Sequence, residues 1–473
     1  MVLFLLTVLQ GARAGAQDAT ADAGPDPEKV QQSIDRALAF LVEDAAKWRK
    51  ERGCATCHHG EMTVWALSEA RDRGYAVPAE TLAETIRWTK ELFVPQFSKP
   101  RDHRWGYNFV SLPGIYLSVM SETLPILSRD EIDRLAVHLA RHQEEDGAWL
   151  MPPPNANTSP PTWESSETIA LWALLAWESP VGDEGGEAAT VRAAREKAVA
   201  WLGSTKPTDT TQALSLRLLL DIHTRQAAES LRSRVEQLLR RQNADGGWSQ
   251  LEDLASDAYA TGQVLWALSF AGVQPEHAQI RRGISFLVAS QQDQGAWPMT
   301  GRSHPGTETK KERNPVPITY FGSAWATLGL VRFVPPLLDP ATREARAFEW
   351  LRSFSGTYET DQALPGTPVV SIKVRYEIDD DQLAKMVRLL GAFRQLRSLQ
   401  LKSMYITDAG ARHLKPLAQL RSLSLEDSNI TDAGLAELKG LSDLEELGLK
   451  GTNVTDAAVE DFRRGLPRVK IER

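Results

Sequence analysis

Two cysteines, Cys54 and Cys57, are all that the 473-residue chain contains, so at most one internal disulfide can form. Long apolar runs are missing as well: no segment reaches the roughly 20 residues that a helix needs to cross a bilayer. Nor is there a surplus of positive charge. With a formal net charge of −8 and no dense basic run, the chain lacks the kind of surface on which nucleic acids bind. Apolar residues make up 42% and charged residues 25%, ordinary values for a globular protein. The length allows about three domains.

The first residues differ in character from the rest. VLFLLTVL is a short apolar run followed by small residues, and Ala14-Gly15-Ala16 before Gln17 suits a signal peptidase. Residues 1–16 therefore read as a signal peptide, which makes the protein exported, periplasmic or at the cell surface. Residues 17–29 are small, polar and acidic, as in a linker.

The pattern Gln-x-x-x-Gly-x-Trp then occurs three times, at Gln143/Gly147/Trp149, Gln242/Gly246/Trp248 and Gln291/Gly295/Trp297. A spacing repeated in this way implies one supersecondary unit stacked on copies of itself. Amphipathic stretches at 30–50, 79–92, 128–143, 188–202, 226–242 and 278–291 carry apolar residues at helical spacing, which predicts half-exposed outer helices. Their partners begin near Met62, Asn108, Ser166, Thr210, Ser256 and Thr319 and are apolar nearly all round, which predicts inner helices. Six of each give a single α6/α6 toroid over 30–355, with the starts of the inner helices gathered at one mouth. The polar residues of those first turns are candidate cavity-lining groups: Tyr107, Asn108, Glu164, Glu167, Asp209, Asp257, Tyr259 and Tyr320, beside His58 and His59. The plainer reading is that many are only caps and first-turn acids, which helix starts favour in any case.

On the Gln-to-Trp corners, 30–355 resembles the terpenoid cyclase/prenyltransferase family, in particular squalene-hopene cyclase-like toroids. That resemblance implies an apolar isoprenoid as ligand, and its catalytic motifs can be sought one by one. The Asp-x-Asp-Asp acid of class II cyclases does not occur in this chain. The zinc site of protein prenyltransferases is incomplete: Asp257 matches its first Asp, but Ala260 stands where the thiolate ligand belongs. Trp65, Trp172, Trp177, Trp266 and Trp325 on the inner helices suit stabilisation of a cation, although core packing is the plainer explanation of them.

After a linker at 356–368 a shorter period begins. Leu396, Leu420 and Leu444 are 24 residues apart, and Leu399/Leu423/Leu447, Leu401/Leu425/Leu449 and Ile406/Ile430/Val454 keep the same step. Residues 369–473 resemble bacterial leucine-rich repeats, which implies a short α/β solenoid. Thr407-Asp408, Thr431-Asp432 and Thr455-Asp456 cap its helices. Its strand face carries Gln400, Lys402, Ser424, Glu426, Gly448 and Lys450, a surface for a protein partner.

The chemistry concentrates in GCATCHHG. Cys54, Cys57 and His58 have the Cys-x-x-Cys-His spacing of covalent haem attachment: two thiols one turn apart meet the two vinyl groups, and the adjacent imidazole reaches the iron. Two other readings stay open, a Zn²⁺ held by Cys54, Cys57, His58 and one more ligand, for which His59 is a candidate, and a disulfide or redox pair. These features lead to an expected function: an exported binding or interaction protein, not a cyclase, with haem c or metal at Cys54, Cys57 and His58 and a repeat surface for a protein. The alternative is a cyclase-class enzyme acting on an apolar isoprenoid, with Asp257 or Glu167 as its acid. A haem-dependent redox protein is the second alternative.

Overall fold

A computed structural model describes residues 24–52, 59–98, 116, 126–149, 166–177, 186–224, 226–252, 254–298, 316–337, 340–353, 356–364, 366–374 and 378–473. The protein is mostly helical, with a small sheet near the C-terminal end. It divides into two compact units between Leu337 and Leu338.

Among the described residues the first unit holds α1 (Pro27–Arg52), α2 (Glu61–Asp72), α3 (Ala79–Phe93), α4 (Arg129–Arg141), α5 (Ser166–Ala176), α6 (Gly186–Ser204), α7 (Thr211–His223), α8 (Ala228–Arg240), α9 (Ala258–Phe270), α10 (Ala278–Ser290) and α11 (Val316–Phe333). The helix expected from Asn108 lies outside the described residues, apart from Tyr116. Periodicity decides the layer of each helix. Helix α8 buries only Leu231, Val235, Leu238 and Leu239, one stripe at 3–4-residue steps, so its other face meets solvent. Helix α9 is buried at every position from Ala258 to Leu268. The buried helices pack in succession, α5 on α7, α7 on α9, α9 on α11 and α11 on α2.

The Gln-Gly-Trp corners link one hairpin to the next. Gln143 Nε2 donates to Gly147 O at 3.0 Å and to Ala194 O of α6 at 2.8 Å. Gln242 does the same to Gly246 O at 2.8 Å and Gln279 O of α10 at 2.7 Å. Gln291 reaches Gly295 O at 3.0 Å and Ser33 O of α1 at 2.9 Å. The third corner thus returns to the first helix, and α1 also packs on α10 and α11. Each glycine has positive φ, between +89° and +98°, which L-residues with a Cβ rarely adopt. Each Trp indole N–H bonds the backbone of its own outer helix, at 3.1, 2.8 and 2.7 Å for Trp149, Trp248 and Trp297.

The buried helices run in the same direction. Thr63 meets Tyr320 and Trp65 meets Trp325 between α2 and α11. Likewise Tyr259 meets Phe321 and Trp266 meets Trp325 between α9 and α11. Their N-terminal ends therefore lie together.

The second unit comprises α12 (Pro340–Ser353), β1 (Thr357–Thr360), β2 (Val369–Lys373), α13 (Asp380–Leu390), β3 (Ser398–Lys402), α14 (Asp408–His413), β4 (Ser422–Glu426), α15 (Asp432–Glu437), β5 (Glu446–Gly448), α16 (Asp456–Gly465) and β6 (Lys470–Glu472). The sheet runs β1 to β6 in chain order, parallel from β2 onward. Leu399, Leu423, Leu447 and Ile471 stand in register, and the leucines of each 24-residue step form one core.

Two boundaries differ from the sequence reading. Residues 356–368 are not all linker, because Thr357–Thr360 pairs antiparallel with β2; Thr and Tyr favour an extended strand. Helix α12 groups with the sheet because Ala347 and Leu351 are buried in the core of the repeats, so the first unit ends before 355.

Candidate functional site

Midway along the buried helices, their side chains form an aromatic hub. The Trp65 ring lies 5.1 Å from that of Trp266, 5.2 Å from Trp325 and 6.1 Å from Trp172, centroid to centroid, mostly edge to face. Tyr116 joins at 5.7 Å from Trp65 and 5.1 Å from Trp172. Tyr259 stands 5.4 Å from Phe321 and 6.4 Å from Trp325. Such edge-to-face contacts set the positive rim of one ring against the negative face of the next.

Asp257 stands at the start of α9, the helix that carries Tyr259 and Trp266 of this hub. It is the N-cap of α9, and its Oδ1 accepts the Ala260 N–H at 2.8 Å while Oδ2 accepts from Gln250 Nε2 at 2.5 Å. Burial pushes its carboxyl up to about 6, against the pull of those hydrogen bonds. Asp257 is thus an acid that keeps its proton in mildly acidic solution. Tyr259, two residues on, has its phenol raised far above the usual range, first by burial and then by Tyr116.

A second cluster follows the Cys-x-x-Cys-His stretch. His59 is fully buried, stacked against Trp48 at 4.3 Å and Tyr320 at 3.9 Å. Its Nε2 bonds Asp44 Oδ2 at 2.8 Å. Burial lowers the imidazole pKa and Asp44 partly offsets this. Tyr320 is hydrogen bonded to Leu41 O at 2.8 Å and to Thr63. Thr63 Oγ1 donates to His59 O at 2.8 Å. Cys54, Cys57, His58, Tyr107, Asn108 and Glu164 lie outside the described residues. Within the described residues, no group of three or more His, Cys, Asp or Glu side chains is arranged to hold a metal ion.

The remaining sequence candidates separate. Glu167 is buried, but Oε1 accepts from Arg217 Nε at 2.6 Å and Oε2 from the Thr208 N–H at 2.6 Å. It is a structural ion pair tying α5 to α7, with both oxygens engaged as acceptors. Asp209 is exposed and paired with Arg241, so it is a rim residue and does not line an interior. One buried acid escaped the sequence reading. Glu61, the first residue of α2, is 0% exposed and no other residue bonds its carboxyl, so burial raises it well above the carboxylate range against the pull of its own backbone N–H. An acid in a first turn looks like a dipole partner; only its burial marks it out.

Residues 205–351 match the family model of the squalene-hopene cyclase C-terminal domain, so this part of the chain is squalene-hopene cyclase-like. Among solved structures, a variant of the type II terpene cyclase MstE from Scytonema, in complex with geranylgeranyl dihydroxybenzoate, is 17% identical, covers 66% of this chain and 99% of its own, and has a TM-score of 0.43. A protein from Actinoplanes is 15% identical over 64% of this chain and 99% of its own, at a TM-score of 0.42. A polysaccharide lyase is 9% identical over 63% and 97%, at 0.39. Likenesses this distant leave substrate and chemistry open. Among curated proteins none matches the chain.

Proposed function

We propose that the first unit is an α/α toroid of the cyclase class, which binds an apolar isoprenoid against its inner aromatic wall, with Asp257 as proton donor. The match of 205–351 to the squalene-hopene cyclase domain supports the class. The observation that carries the reading is a carboxyl that burial raises, Asp257, at the start of the helix whose Tyr259 and Trp266 belong to the cluster of indoles and phenols. Proton transfer from Asp257 to an alkene leaves a carbocation and a carboxylate. The ring faces attract the cation, and Gln250 and the Ala260 N–H hold the carboxylate. Glu167 is set aside because it is ion paired with the Arg217 guanidinium, whereas the groups bonded to Asp257 are neutral. A prenyltransferase zinc site does not fit, since Ala260 contributes a methyl group where a thiolate is needed. Incubation with squalene and with prenyl diphosphates tests the reading: a cyclised product is expected from the wild type and at least a hundredfold less from Asp257→Asn. No product from the wild type removes it for those substrates.

The His59 cluster favours a second reading, an attached group at Cys54, Cys57 and His58. His59 is fixed by Trp48, Tyr320 and Asp44 immediately after those residues, so the segment's end is anchored in the first unit. The two thiols and the His58 imidazole are the donor set of a haem c, which when bound would supply one-electron transfer; Zn²⁺ is the other candidate. This reading includes export, with cleavage after Ala16. The second unit reads as a leucine-rich-repeat solenoid, and the cleft on its strand face, of about 340 Å³, suits a protein partner. Pull-downs with and without 369–473 are expected to differ.

A further inference from the structure

The hub contains more hydrogen-bond donors than the chain can satisfy. The indole nitrogens of Trp172, Trp266 and Trp325 lack a partner, and beside them the Tyr259 hydroxyl and the Gln263 amide have only each other. Each of these residues is at most 4% exposed. They are not scattered. Tyr259, Gln263 and Trp266 fall at i, i+4 and i+7 on α9, one stripe of the helix. Trp325 is in ring contact with Trp172, Tyr259 and Trp266.

Buried polar groups in native proteins nearly always find partners, and leaving them unmade is costly because water has been lost without replacement. Three unpartnered indoles beside a phenol and an amide that have only each other call for an acceptor from outside the chain. That acceptor has defined chemistry. Three of the five groups can only donate, so the complementary group is rich in oxygen acceptors. It is neutral, because no Lys or Arg stands among these residues to balance a buried anion. It is flat, because the surrounding surface consists of ring edges and faces.

We propose that the hub binds the head of an isoprenoid quinone, its carbonyl oxygens accepting from the indole, phenol and amide donors. This rests on the reading that the first unit takes an apolar chain, and it names the head that chain carries. The step is binding alone and needs no electron donor.

The test is calorimetric titration of the intact protein in mild detergent with decylubiquinone and with decylbenzene, both a decyl tail on a six-membered carbon ring, of which only the first carries acceptor oxygens. At least tenfold tighter binding of the quinone is expected. Tyr259→Phe and Gln263→Leu should each shrink that preference three- to tenfold, with folding checked by circular dichroism. Equal affinity for the two ligands overturns the proposal and assigns the donors to resident water; cyclisation of squalene would then leave the proposed class standing. No binding of either ligand overturns it as well. A quinone preference without any turnover of isoprenoids supports the proposal and removes the cyclase reading.

Discussion

Asp257 is pulled in two directions. As the N-cap of α9 its carboxylate is favoured by the helix start and by the Ala260 N–H, while burial favours the neutral acid. Burial wins, since the group is raised from 3.8 to about 6. The consequence for stability has a definite sign. Between pH 4 and 6 the folded protein keeps a proton that the unfolded chain has released, so this contribution is full below about 4 and is lost as pH rises through 6. At 1.36 kcal/mol per unit the loss is at most about 3 kcal/mol, and partial exposure lowers it. Asparagine caps as well as aspartate, so Asp257→Asn is expected to make the denaturant midpoint fall less between pH 4 and 6, leaving the part that belongs to Glu61, without unfolding α9. A wild-type midpoint already flat over that range would contradict the burial of this carboxyl. The same residue shows what sequence can reveal of a site. Asp257 was legible as a first-turn acid on an inner helix, and so was Glu167. What separates them is Arg217, fifty residues from Glu167 in the chain, a distance over which no local pattern speaks. Glu61 was illegible for the opposite reason: no other side chain bonds its carboxyl.

At the scale of elements, the corner motif carries most of the fold and was readable as a repeat before its purpose was. Spacing gave the helix boundaries to within a few residues, because the apolar stripe ends where the corner begins. The role of the Gln could not be read, since its second acceptor lies 51, 37 or 258 residues away. The Gly295 corner, which joins the last hairpin to the first, offers the sharpest test. A Cβ there would lie 2.3 Å from Arg36 O, at φ +90°. Gly295→Ala is expected to destabilise the first unit by about 3 kcal/mol, from strain and overpacking together. Thirteen of the fourteen tryptophans precede Leu338, so intrinsic fluorescence against denaturant reads this loss directly. An unchanged midpoint would mean that the corner is not under constraint. The repeats have their own linking device. Asp408 accepts from the Thr431 N–H and hydroxyl, both at 2.7 Å, and from the Gly434 N–H at 2.9 Å; Asp380 serves Thr407 and Asp432 serves Thr455 likewise. The sequence marked Thr-Asp as a cap. It did not show that each Asp also receives the next repeat's Thr. Asp408→Ala is expected to cost about 1–2 kcal/mol and to speed amide exchange in β4 and α15; uniform exchange rates would discount the ladder.

At the scale of the molecule, the two cysteines, the apolar start and the buried His59 bear on one another. Haem attachment through two thioethers consumes both cysteines of the chain, so it excludes a disulfide between them, and a tetrahedral zinc site would compete for the same thiolates. The three readings therefore give different products from one preparation. Full-length protein produced with a cytochrome c maturation system is expected to carry a Soret band that survives acid–acetone extraction, with a mature terminus at Gln17. Cys54→Ser with Cys57→Ser should lose the band and leave the fluorescence-detected midpoint nearly unchanged, because the core of the first unit is built from the corners and the aromatic hub and not from thiols. Zinc without a Soret band would move the site to metal, and a single disulfide with neither would move it to redox chemistry. His59 adds an internal control. Its ring is clamped by Trp48, Tyr320 and Asp44, so His59→Phe keeps the stacking while removing the bond to Asp44. If attachment depends only on Cys54, Cys57 and His58, that variant retains the band; if the band disappears while the helices persist, the His59 clamp is a positioning element for the attached group.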